Sequence, residues 1–172
     1  MFTKLNFSTA SISKTMNIEF AKAEHSLRLS EIVLLASEEL REIDFNQEGW
    51  NRFVTSNTPS EFETRLRKPE FSIFCCVESN FVIGFLSIKD NEKIDQLFVV
   101  PEARNRGVAS SLWQCAKKKA NENGASGMFW VRSSSAAISV YQKFGFLCEG
   151  ERQSFGGINF QLMRLEANNH IG

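Results

Sequence analysis

Hydrophobic and polar positions change period several times along the chain, and each change predicts an element. Residues 18–21 alternate apolar and polar side chains, which predicts a short first strand. Over residues 27–43, Val33, Ala36, Leu40 and Ile43 recur at helical spacing with Glu38, Glu39 and Arg41 on the wet side. Residues 44–58 have no clear period; Trp50 and Phe53 are expected to pack them onto the core. Ser60 after Pro59, with Glu63 three positions on, reads as a capping box opening a helix that runs to Lys68. Residues 71–77 and 81–88 are runs of β-formers joined at Ser79-Asn80, a hairpin. Gly84 inside the second run predicts a bulge or a close neighbour. A turn at 90–92 leads to a strand over 94–100, and a helix over 108–121 sets Val108, Leu112, Cys115, Ala116 and Ala120 on one face. A strand over 128–131, a short helix over 136–144, and runs at 146–154 and 160–165 about the Gly156-Gly157 turn complete the pattern. The order is β-α-α-β-β-β-α-β-α-β-β, a mixed α/β sheet with no repeat or linker.

Composition narrows the classes. A chain of 172 residues suits one domain with a real core, and 42% hydrophobic with 23% charged residues is globular composition. Twenty basic and twenty acidic residues cancel, so bulk charge recruits neither nucleic acid nor an anionic membrane. No apolar run approaches the length of a membrane span. Cys75, Cys76, Cys115 and Cys148 show no C-x-x-C spacing, and only His25 and His170 are present, so no metal site is expected. Free, buried thiols in a reducing cytoplasm are expected instead. Residues 1–15 are Ser/Thr-rich without an acid and no apolar stretch follows, so we expect a poorly ordered extension before a single domain over 16–168.

The chemistry concentrates between residues 94 and 123. The apolar run 97–100 breaks at Pro101, and a small-residue loop, Arg104-Asn105-Arg106-Gly107-Val108-Ala109, opens into a helix. The first turn of a helix has amides without intrahelical partners, and the helix dipole adds positive charge there, so such a loop suits a phosphate or diphosphate. Gly107 and Ala109 let a ligand approach the backbone, and Arg104 and Arg106 add forked donors that match phosphate oxygens. The five cations from Arg104 to Lys119, with no acid among them, divide accordingly: Lys117, Lys118 and Lys119 read as a solvated helix face. The dinucleotide and nucleoside-triphosphate loop motifs are absent.

The R-x-x-G-x-A pattern after a strand and proline resembles the acyl-CoA signature Q/R-x-x-G-x-G/A of the GNAT superfamily of N-acetyltransferases. Tyr141-Gln142-Lys143-Phe144-Gly145-Phe146 resembles that family's second block, with Gly145 as the left-handed residue closing a helix. The resemblance implies a mostly antiparallel sheet of about seven strands flanked by about four helices, whose fourth and fifth strands splay apart. It implies acetyl-CoA as cosubstrate, with the backbone of Leu97, Phe98 and Val99 pairing with pantetheine. Asn105, Arg106, Gly107, Val108, Ala109 and Ser110 would hold the diphosphate beside Arg104.

In the same resemblance Tyr141, the only tyrosine, protonates the departing thiolate; read on its own it is an amphipathic aromatic with its hydroxyl satisfied elsewhere. The strand position where some relatives carry a catalytic glutamate has no carboxylate here. Asp95 is the nearest acid for that role, or else a strand-edge residue pairing a neighbouring cation. Ser134 stands where the family often has asparagine and can still hydrogen-bond the cosubstrate. The implied activity is direct acetyl transfer to a primary amine of a small molecule or peptide; the alternatives are a catalytically weak acyl-CoA-binding module and another nucleotide-binding fold. The acceptor pocket is expected between residues 27–68 and 153–159, where Glu48, Trp50 and Phe53 either line it or sit in the core. A homodimer through the terminal hairpin is a further expectation.

Overall fold

The computed structural model describes residues 15–166. The expected extension over 1–15 therefore lies, Thr15 apart, outside the described residues. Among these residues the sheet has eight strands: β1 (Met16–Phe20), β2 (Phe71–Glu78), β3 (Phe81–Lys89), β4 (Lys93–Val99), β5 (Phe129–Ser133), β6 (Leu147–Cys148), β7 (Gln153–Phe155) and β8 (Ile158–Leu165). They lie in the order β1-β2-β3-β4-β5-β8-β6, with β7 also paired to β8. Every pairing is antiparallel except that of β4 with β5. The helices are α1 (Ser26–Ser37), α2 (Arg41–Asp44), α3 (Gln47–Thr55), α4 (Pro59–Leu66), α5 (Val108–Glu122) and α6 (Ile138–Lys143). The mixed sheet flanked by helices is the expected fold, with one more strand and shorter, more numerous helices.

Local chemistry explains the joints. Ser79 and Asn80 have φ of 51° and 67°, the left-handed pair that a two-residue hairpin turn requires. At Gly84 both expectations hold: the β2–β3 register shifts opposite it, and a Cβ there would lie 2.9 Å from the Phe98 carbonyl oxygen. The α4 cap falls earlier than expected. Thr58, not Ser60, accepts the Glu61 amide at 3.3 Å, because Pro59 fits the first helical position, where its missing N–H costs nothing.

The helix expected over 27–43 is interrupted: α1 ends at Ser37, a 3₁₀ turn spans Glu38–Leu40, and α2 follows. The run at 146–154 pairs only at Leu147–Cys148 and Gln153–Phe155. Phenylalanine dominates the core, with Phe62, Phe74, Phe85, Phe129 and Phe146 fully buried. Trp113 on α5 packs edge-on against Phe129, ring centroids 5.1 Å apart. Cys75 and Cys76 are buried as expected, but Cys115 is half-buried and Cys148 exposed; all are free thiols.

The α2–α3 segment is fastened to the far end of the chain. The Asn46 side chain caps α3 by accepting the Gly49 amide at 2.8 Å, and the Asn46 amide donates to the Gly157 carbonyl at 2.9 Å. Gly49 and Gly157 touch so closely that a Cβ on Gly49 would overlap the Gly157 carbonyl. The first helices and the β7–β8 turn thus form one wall over the sheet.

Candidate active site

The parallel strands β4 and β5 pair at only two positions, Lys93 with Trp130 and Ile94 with Val131. Beyond Ile94, β4 continues along β3 and β5 along β8, so from Asp95 to Val99 the β5-facing edge of β4 has no strand partner. Two cavities adjoin this opening, of about 380 and 320 Å³. They share Leu40, Leu97, Phe98, Ser134, Ala137 and Tyr141 in their walls.

The larger cavity gathers most of the residues singled out in the sequence: Leu97, Phe98, Val99, Arg104 and Asn105 line it. Gly107, Val108, Ala109, Ser110 and Ser134 complete that group. Gly107 is the N-cap of α5 at φ 80°, and a Cβ there would meet no protein atom. Its internal constraint is therefore the left-handed backbone, and the open space above it is room for a ligand.

The Ser111 amide makes the first bond of the helix, donating to the Gly107 carbonyl at 2.9 Å. The amides of Val108, Ala109 and Ser110 then have no intrahelical acceptor, which fits the donor set a diphosphate takes. Arg104 donates to Glu39 at 3.1 Å across the cavity mouth. Arg106 is placed differently from the expectation: it does not line this cavity and instead donates to the carboxylate of Glu78. Lys143, which no motif argument singled out for this role, lines the cavity and supplies a second cation.

Tyr141 stands on α6 between the two cavities, 4% exposed. Its ring packs against Phe144 and Phe146, with centroids 6.1 and 5.6 Å away. Burial pushes the phenol above its ordinary value, because water no longer stabilises the phenolate. The hydroxyl is therefore a durable proton donor at neutral pH.

The smaller cavity is polar at its base and aromatic at its rim. Asp95 lines it, half-buried, and accepts from the Lys93 ammonium at 2.8 Å. Arg65 donates to Gln96 Oε1 at 3.1 Å, to Asn57 Oδ1 at 3.3 Å and to the Ser56 carbonyl. Gln96 Nε2 in turn donates to Asn57 Oδ1 at 2.6 Å. Burial lowers the Arg65 pKa, and the fields of Asp95 and Glu61 oppose that shift. Asp44, 1% exposed, accepts the Ser135 amide at 2.9 Å, the Ser135 hydroxyl, and Arg152 at 2.5 Å.

Phe45, Phe53, Phe155 and Phe160 close the sides. Glu48 instead pairs with Arg52 at 2.7 Å outside the cavity, and Trp50 is core, edge-on to Phe45. Sequence reasoning missed Arg65, Asn57, Gln96, Asp44 and Arg132. Only Arg132 had a readable signal, the alternation of β5, where Phe129, Val131 and Ser133 are buried and Arg132 faces away.

The acetyltransferase (GNAT) domain family matches residues 41–167. No curated protein sequence matches the chain. Among solved structures, the GCN5-related N-acetyltransferase from Rhodopseudomonas palustris superposes with TM-score 0.75 at 22% identity, over 88% of this chain and 96% of that one. The PaiA N-acetyltransferase from Thermoplasma acidophilum, in complex with coenzyme A, gives 0.76 at 16% identity, over 88% and 99%. The ribosomal-protein-S18-alanine N-acetyltransferase from Escherichia coli gives 0.64 at 14%, over 92% and 99%. At these identities the likeness is one of fold.

Proposed function

The chain belongs to the GNAT acetyltransferase family and is an acyl-CoA-dependent acetyltransferase, and from that premise we propose that it moves acetyl from acetyl-CoA directly onto a primary amine of a small molecule or peptide. One observation carries the reading: two cavities meet at Tyr141 beside the unpaired edge of β4. The larger one supports cosubstrate binding through the amides that open α5, flanked by Arg104 and Lys143, with Ser110 and Ser134 as hydroxyl donors. Coenzyme A is also what the Thermoplasma neighbour holds. The bound cosubstrate supplies an activated thioester. The free main-chain edge of Leu97–Val99 would align its arm as an added strand would, and an amide there would serve as a donor to the acyl oxygen, worth about 3 kcal/mol when removed from such sites.

Tyr141 donates a hydrogen bond to the departing sulfur. Full proton transfer to a thiolate, whose thiol ionises near about 8.5, runs uphill from a phenol raised above about 10, whereas a hydrogen bond to developing charge does not. Asp95, at the acceptor side, is the group that takes the ammonium proton, and Lys93 holds its carboxylate in place. Among the described residues no Cys stands beside a His at the junction of the cavities, and in this reading the acyl group passes without a covalent enzyme intermediate. The reading puts the protein in the cytoplasm, supported by its four free thiols. Among the described residues no helix is long and apolar enough to cross a membrane.

The test is acetyl-CoA turnover, followed as free thiol, against amino acids, polyamines, aminoglycosides and N-terminal peptides. Release that depends on one amine class supports the reading. Coenzyme A binding without turnover on any class turns it into a binding module, and a melting temperature unmoved by saturating coenzyme A removes it.

A further inference from the structure

The charges lining the smaller cavity do not cancel. Lys93 and Asp95 neutralise each other at 2.8 Å, and Asp44 is neutralised by Arg152 at 2.5 Å. Two guanidinium groups are left over. Arg65 spends its hydrogen bonds on neutral acceptors, Asn57, Gln96 and the Ser56 carbonyl, and feels Asp95 and Glu61 only through their fields. Arg132 has no carboxylate partner among the described residues. Its guanidinium lies over the rings of Phe160 and Phe155, 4.9 and 5.6 Å from their centroids, which fixes the plane while leaving its N–H edge for another acceptor.

A lining with two unneutralised forks favours an anion and repels a polycation. Resting on the acetyl-transfer reading above, we infer that the acceptor amine carries a carboxylate, as an amino acid or peptide does, and that Arg132, backed by Arg65, receives it. The aromatic sides formed by Phe45, Phe53 and Phe155 accommodate the rest of such a molecule. A polyamine or aminoglycoside would set its extra ammonium groups against both arginines.

Product-like probes test this without turnover. The full chain, saturated with coenzyme A, is titrated calorimetrically with N-acetyl-L-alanine, N-acetyl-L-glutamate and N-acetyl-L-phenylalanine, with the corresponding carboxamides, and with spermidine. At least one acid is expected to bind about tenfold or more tightly than its amide, with Arg132→Gln removing the preference and Arg132→Lys restoring part of it. Arg132 is exposed, so its replacement does not threaten the fold. Acids that bind no better than their amides overturn the inference, as does a preference that Arg132→Gln leaves intact or spermidine binding above every acid. Those outcomes spare acetyl transfer itself, whereas failure of coenzyme A to bind at the outset would remove the parent reading and this one with it.

Discussion

The two cavities are built on opposite principles. Half of the larger one's wall is one continuous piece of chain, from β4 through the Gly107 loop into α5, and in the reading above its principal donors are main-chain amides, flanked by Arg104 and Lys143. The smaller one draws on α2, α3, α4, α6, β4, β5, β7 and β8, and the polar groups that line it are side chains, among them Arg65, Gln96, Asn57, Asp95 and Arg132. Main-chain recognition tolerates any side chain that stays out of the way, so it suits a cosubstrate that does not change. Side-chain recognition is retuned by single substitutions, which suits an acceptor particular to one enzyme of a widely shared fold.

The sharpest way to break that division is at Tyr141, one of the residues common to both sides. Tyr141→Phe removes one hydroxyl and keeps the ring that packs on Phe144 and Phe146. We expect kcat to fall about 100-fold, with coenzyme A affinity and the melting temperature nearly unchanged. A variant that keeps its turnover would strip Tyr141 of its chemical role and leave it as packing.

A second substitution separates the cavities by damaging one wall only. Gly49→Ala would ordinarily gain about 1 kcal/mol of helix propensity inside α3. Here the added carbon overlaps the Gly157 carbonyl, and backbone on both sides leaves little to give. The overlap wins, so we expect about 2 kcal/mol of lost stability by chemical denaturation and a raised acceptor KM. Coenzyme A affinity should hold, since α5 is not part of this contact. Equal damage to both ligands would mean the two walls are one cooperative unit.

The same contrast explains what could be read in advance. Strand, proline, glycine loop and helix lie in sequence within the residues 94–123 stretch, so hydrophobic period and local backbone rules carry them, and Gly107 takes its expected place at the start of α5. Arg106 broke ranks because its partner, Glu78, belongs to β2, a contact no local rule contains. The smaller cavity was legible only as a region. Asp44 is aimed by a 3₁₀ turn within what the period predicts as one helix, and it is held by Ser135 and Arg152 from the other half of the chain. Arg65 meets Gln96 across the gap between α4 and β4, and nothing in the spacing of either announces the other. Thr58 shows a smaller lapse: two capping patterns overlap, and Pro59 decides between them.

Gly107→Val strikes the main-chain side alone. The position is left-handed at φ 80°, so a β-branched residue costs about 1–2 kcal/mol of backbone strain. It also fills the space over the α5 amides. Coenzyme A affinity should drop about tenfold, while binding of the acceptor probes changes little. Unchanged coenzyme A affinity would mean that the diphosphate sits elsewhere.

The smallest effect concerns pH, and the contrast predicts an absence on one side and a presence on the other. A tyrosine in water loses its proton near pH 10, but burial of Tyr141 raises that point, so the protonated donor persists to higher pH than a phenol in water would allow. The shift favours the proton-bearing form, so raising the pH from 8 to 10 should produce no loss of kcat from this residue. Acceptor amines behave oppositely, since only the neutral amine attacks, and kcat/KM should climb with pH until the amine is deprotonated. The expected profile therefore rises on the acceptor side and does not fall again below pH 10. Its measure is kcat and kcat/KM at half-unit steps, with Tyr141→Phe alongside. A descending limb near pH 10 that disappears in Tyr141→Phe would show that the phenol ionises freely, and that the hydroxyl at the junction of the two cavities is open to water rather than sealed between them.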